Sequence, residues 1–166
     1  MEAVANPYAN LQLRIPEHEW EAVRRFTTTF RPEDGSEPNI DQSPFNRYVD
    51  LWWAALIVGV REGRRSKRTD WHDFTPAVVF NQDPWRIRQL ELLALAEATG
   101  GTDVLDNPTD VLDDPGQIIS MANEYAATGI GILIDQMTGQ TEPIWAVTSL
   151  FRSMAEQELR GERADV

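Results

Sequence analysis

Apolar positions recur at helical spacing along most of this chain and alternate with polar ones in one place. Leu11, Leu13 and Ile15 are separated by Gln12 and Arg14, the period-two signal of a short extended segment with one apolar face. A helix is expected to follow at once. Pro16 suits a first helical position, Glu17 and Glu19 complement the positive end of the helix dipole, and Trp20, Val23, Phe26 and Phe30 share one face. Residues 31–43 hold two prolines, a glycine and four acids, and read as a loop. Ser43-Pro44 is a helix-start signature. Tyr48, Leu51, Trp52, Ala55 and Gly59 then lie on one side of a helix whose stripe Trp53 and Leu56 broaden, so this helix belongs in the middle of a core. It should stop at Gly63 in a left-handed cap.

Residues 71–80, punctuated by Thr75-Pro76, read equally as a short strand or a helical turn. Asp83-Pro84 opens a further helix, in which Ile87, Leu90, Leu93 and Ala94 lead to a stop at Gly100-Gly101. Residues 102–114 are acidic and broken by Pro108, which predicts a loop or one short turn. Asp114-Pro115 repeats the start signal, and Ile118, Ala122, Tyr125, Gly129 and Ile132 mark one helical face. Gly129 and Gly131 each cost about 1 kcal/mol against alanine inside a helix, so close backbone packing or a kink must justify them. Pro143, Ile144, Val147, Phe151 and Met154 define a last helix that decays into a charged end near Arg163.

The elements add up to a mainly α fold: a single compact helical domain of about five helices with a short N-terminal extended segment. The domain is expected over residues 11–160, between an N-terminal tail of residues 1–10 and a C-terminal tail of residues 161–166. Its core should include Trp52, Leu56, Leu90, Ile118, Tyr125, Val147 and Phe151.

With 166 residues, 42% of them apolar and 25% charged, the chain has enough material to bury one core. Its longest apolar run, residues 51–60, is half the roughly twenty residues needed to cross a bilayer, and no secretory leader opens the sequence. The expectation is a soluble, cytoplasmic protein. It has no cysteine, hence no disulfide, thiol nucleophile or cysteine zinc site.

The net charge of −12 repels nucleic acid at long range. The charge is unevenly spread. Residues 101–150 carry no basic residue, whereas Arg61, Arg64, Arg65, Lys67 and Arg68 fall within eight positions. These five are the candidate binding residues, for a phosphate backbone or for an acidic protein. Cations at a helix C-terminus are also favoured by the dipole alone. As structural ties they would look to acids such as Asp103 through Asp114.

Other constellations are incomplete. The one lysine, Lys67, lies in Ser-Lys-Arg rather than Gly-Lys-Ser or Gly-Lys-Thr, which excludes a phosphate-binding loop of that kind. Gly129-Ile130-Gly131 lacks the spacing of a dinucleotide fingerprint and is better explained by packing. Asp103, Asp106, Asp110, Asp113 and Asp114 lack calcium-loop spacing and have no lysine or histidine beside them. They read as a solvated loop, with Asp114 as a helix cap. His72-Asp73, flanked by Trp71 and Phe74, has acid-base potential, but a histidine among aromatic rings is more often structural. No catalytic residue, metal site or cofactor is assigned.

A family resemblance adds to this reading. It is carried by Arg14-Ile15-Pro16-Glu17, by Trp53-Ala54-Ala55 leading to Gly59, Gly63, Arg64 and Arg65, and by Leu93-Ala94-Leu95-Ala96 before Asp103-Val104-Leu105. Asn123-Glu124-Tyr125-Ala126 and Gly129-Ile130 follow in the same order. Over residues 14–133 the chain resembles small proteins associated with Dnd systems, which modify DNA by phosphorothioation and restrict foreign DNA. The resemblance implies an accessory role in such an antiviral defence system, and with no complete catalytic constellation in the sequence the expectation is a non-enzymatic accessory or adaptor subunit. Its partners would be the other proteins of the system, with DNA and a second copy of the chain as further candidates. The alternatives are a small nucleic-acid-binding transcriptional regulator using the basic cluster, and a metal-dependent nuclease using the acidic run.

Overall fold

The computed structural model describes residues 6–28, 35, 37, 39, 41–100 and 107–164, with side chains described as far as residue 161. Among these residues the chain is mainly α, with five α-helices and one two-stranded sheet. No helix among them is long and apolar enough to cross a membrane.

Strand β1 (Gln12–Pro16) pairs antiparallel with β2 (Trp71–Pro76), placing Leu13 opposite Thr75, Arg14 opposite Asp73 and Ile15 opposite His72. A bulge between Leu13 and Arg14 shifts the register. Leu13 and Ile15 are fully buried while Arg14 is exposed, as the alternation requires. Residues 71–80 contain both a strand and a turn, because Ala77–Asn81 follows β2 as a 3-10 turn that buries Ala77 and Phe80.

The helix expected from Pro16 to Phe30 is cut short. Pro16 closes β1, a 3-10 turn spans Glu17–Glu19, and α1 occupies Trp20–Arg25. The backbone then turns away to bond with a distant segment: Thr28 N donates to the Phe45 carbonyl (2.8 Å) and Phe45 N to that of Phe26 (3.3 Å). Phe30 and most of the 31–43 loop lie outside the described residues. Ser43 does not start the next helix either. Its hydroxyl donates to the Arg25 carbonyl at 2.8 Å, and α2 begins later, spanning Tyr48–Arg61.

The remaining helices are α3 (Trp85–Gly100), α4 (Pro115–Met137) and α5 (Pro143–Ala164). Asp114 caps α4 as expected, accepting from Gln117 N at 3.1 Å. Gly63 follows α2 with φ +62°, the left-handed stop. At the N-terminus, residues 6–10 depart from the expected tail. Tyr8 is 1% exposed, and Asn6 Nδ2 donates to the Ala77 carbonyl and to Asn81 Oδ1. At the other end, α5 runs into the expected tail as far as Ala164.

The core is centred on the crossing of α2 and α4. A Cβ added to Gly129 would overlap the Ala55 carbonyl, and one added to Gly59 would overlap that of Tyr125. The two helices therefore touch backbone to backbone, and packing is the reason for Gly129. Trp52, Leu56, Leu90, Ile118 and Tyr125 are buried as expected. Val147 and Phe151 are not: both are half-buried, because α5 lies on the outside of the α2–α4 pair with part of its apolar stripe uncovered.

Candidate interaction surface after helix α2

The α2 terminus turns at Gly63 into a short loop that leads to β2, and the five candidate cations sit on this stretch. They do not act alike. Arg65 lies across α4: its Nε donates to Glu124 Oε2 at 2.8 Å, its Nη2 is 2.7 Å from the same oxygen, and its guanidinium sits 6.0 Å from the Tyr125 ring centre. The Tyr125 hydroxyl donates to Glu97 Oε1 on α3 at 2.6 Å. Burial and this contact push the Tyr125 pKa up to about 12. Ser66 adds two ties to α4. Its N–H donates to the Glu124 carbonyl (3.0 Å), and its hydroxyl shares a hydrogen bond with that of Thr128 (2.8 Å).

Arg61 donates to Glu158 Oε1 (2.8 Å), binding the end of α2 to α5. Arg68 forms a two-pronged pair with Asp70, at 2.9 and 3.0 Å, while its carbonyl accepts from Trp71 Nε1 (2.9 Å). The hydrogen bonds with Asp70 raise the Arg68 pKa and hold that of Asp70 below the usual carboxylate range. Three of the five cations are thus engaged by acids of the same chain: Arg61 by Glu158, Arg65 by Glu124 and, at 3.9 Å, Glu97, and Arg68 by Asp70. The run Asp103 through Asp114 supplies none of these ties; Asp103 and Asp106 lie outside the described residues. Arg64 and Lys67 are exposed and form no ion pair among the described residues. The loop is a fastened platform carrying two cations that have no ion-pair partner among the described residues.

His72 and Asp73 are separated by the strand geometry. The His72 ring stacks on Trp20 at 4.2 Å between centres, with Nδ1 3.0 Å from Glu17 Oε2, while Asp73 pairs with Arg14 at 2.6 Å. The histidine is held by contacts of the structural kind. Among the described residues no three His, Asp or Glu side chains are gathered to hold a metal ion.

One polar centre has no counterpart in the sequence pattern. Arg86, 6% exposed, donates from Nη2 to Asp50 Oδ1 at 2.7 Å and from Nη1 to the Val49 carbonyl at 3.3 Å. Its guanidinium lies 5.2 Å from the ring centres of both Trp53 and Trp85. Arg47 completes the network, donating to both oxygens of Asp50 and to Asp83 Oδ2 (2.9 Å). This cluster joins the start of α2 to the start of α3. Compared with protein-family models, curated proteins and solved structures, the chain matches none.

Proposed function

We propose that this chain is an accessory or adaptor subunit of a DNA-phosphorothioation-linked defence system, acting by binding and using the loop after α2 as its contact surface. The observation that carries the binding role is the pair Arg64 and Lys67, exposed and without an ion pair among the described residues, on a loop that Arg65, Ser66 and Arg68 fasten on either side. Cations presented without an internal partner meet an anionic one at little cost in reorganisation. The defence setting rests on the order of the short motifs that resemble Dnd-associated proteins.

The number of cations without an ion pair among the described residues favours an acidic protein over DNA. A duplex-binding surface commonly neutralises about six to ten phosphates, and the remaining three cations here already serve acids of the same chain. The net charge of −12 also opposes approach to a polyanion, which a small patch on a protein partner avoids.

The test is co-purification of the tagged chain with the modification and restriction proteins of such a system. The wild type is expected to retain a partner, and Arg64→Gln with Lys67→Gln to weaken retention about tenfold, equivalent to about 1.4 kcal/mol, without loss of helicity by circular dichroism. Retention unchanged by the double variant would contradict the proposed surface. Magnesium- or manganese-dependent DNA cleavage abolished by Asp110→Asn would replace the adaptor reading with a nuclease.

A further inference from the structure

We propose that the chain forms a two-fold homodimer in which the C-terminal half of α5 from each copy lies in a groove of the other whose lining mixes apolar and polar side chains. The groove, about 1060 Å³ in volume, runs between α2, α3 and α5. Ile57 (44% exposed) and Val60 (37%) form its floor, Leu92 (57%) one wall, and the half-buried Phe151 and Met154 the other. These three large apolar side chains, open to water on one concavity, offer apolar surface that a partner helix would cover.

The chain also carries a helix end that its own body covers little. Helix α5 packs on the body as far as Met154, but every residue from 155 to 161 is exposed, including Leu159 at 61%. Arg61 contacts Gln157 and Glu158 and is the tie seen for this half among the described residues. A helical extension of this length gains little stability from backbone hydrogen bonds alone. Phe151, Ala155 and Leu159 stand at i, i+4 and i+8, on one face.

This face is complementary to a reversed copy of itself. With two α5 helices antiparallel and crossing at Ala155, Leu159 of each meets Phe151 of the other, and Arg152 falls opposite Glu158. The small Ala155 sits at the crossing, where the helices approach most closely. A parallel arrangement would oppose Arg152 to Arg152. Charge supports a second copy as occupant: residues 151–161 hold two arginines (Arg152, Arg160) and two glutamates (Glu156, Glu158), locally neutral on a chain of −12. An antiparallel two-fold contact uses the groove and the α5 face of both copies, so the exposed apolar side chains of both are covered in the same step.

Sedimentation velocity of the full chain tests this. Twice the 18.9 kDa chain mass is expected at tens of micromolar. Leu159→Glu and Leu92→Glu, both at exposed positions, should each raise the dimer dissociation constant more than tenfold with unchanged circular dichroism. Because the chain has no cysteine, Ala155→Cys gives a second readout. Mild oxidation should cross-link this variant as a dimer, and a control Gln140→Cys should stay monomeric on a denaturing gel. A wild type that remains monomeric at about 100 μM overturns the dimer and leaves the groove for a helix of another protein. A dimer indifferent to both glutamate substitutions, or cross-linking as efficient at position 140 as at 155, also overturns it.

Discussion

Asp50 bears two guanidinium groups on one carboxylate. Burial pushes its pKa up, but hydrogen bonds from Arg47 and Arg86 outweigh this and hold the group below its ordinary value of 3.8. A carboxyl whose pKa is depressed on folding contributes stability that is fully present above the unfolded pKa and lost as pH falls through the folded one. Acidification below about pH 4 should therefore remove part of the stability. Asp50→Asn should destabilise the chain by about 3 kcal/mol at pH 7, because it removes the nearer charge partner of the buried Arg86 and leaves only Asp83, 3.8 Å away, among the described residues. Urea unfolding of both proteins between pH 7 and pH 2 checks this: the gap should narrow in acid, and a constant gap would show that the charge on Asp50 contributes nothing. None of this was legible in the sequence. Asp50 and Arg86 stand 36 positions apart, each on the first turns of its own helix, and periodicity says nothing about which polar residues meet across helices. Asp114 was legible because a cap acts on its own helix.

At the scale of elements, two glycines in one helix separate packing from propensity. Gly129 has the Ala55 carbonyl where a Cβ would go, whereas the nearest atom to a Cβ on Gly131 is Glu19 Oε1 at 3.8 Å, an ordinary contact. Gly129→Ala should force α2 and α4 apart and cost about 3 kcal/mol or more, by overpacking against a backbone that has no rotamer to yield. Gly131→Ala should be neutral or stabilising by up to about 1 kcal/mol. Thermal unfolding of the two variants reads the difference, and equal losses would contradict a contact specific to Gly129. The apolar stripes of α2, α3 and α4 announced these helices because each is covered on the side the stripe faces. The stripe of α5 announced a helix equally well, yet Val147 and Phe151 are half-buried, since a stripe does not say what covers it. Helix α1 ends early for a non-local reason: the Phe26 carbonyl accepts from Phe45 N, and Thr28 N donates to the Phe45 carbonyl.

For the whole molecule, the decisive quantity is how the positive charge is shared out against −12. Clustering in the sequence located the surface, as Arg61, Arg64, Arg65, Lys67 and Arg68 sit on one helix end and the loop after it. Their division into three tied cations and two without an ion pair among the described residues depends on Asp70, Glu97, Glu124 and Glu158, of which the three glutamates come from distant helices, so spacing could not reveal it. The proposed function turns on this division, and it has a direct measure in the salt dependence of association with duplex DNA. The logarithm of the association constant falls against that of salt concentration with a slope of about −0.9 per phosphate neutralised. Binding through Arg64 and Lys67 alone predicts weak association with a slope no steeper than about −2. A slope of about −4 to −5, lost in the Arg64→Gln, Lys67→Gln variant, would mean that the whole cluster engages the phosphate backbone and would contradict the account of a protein-binding platform.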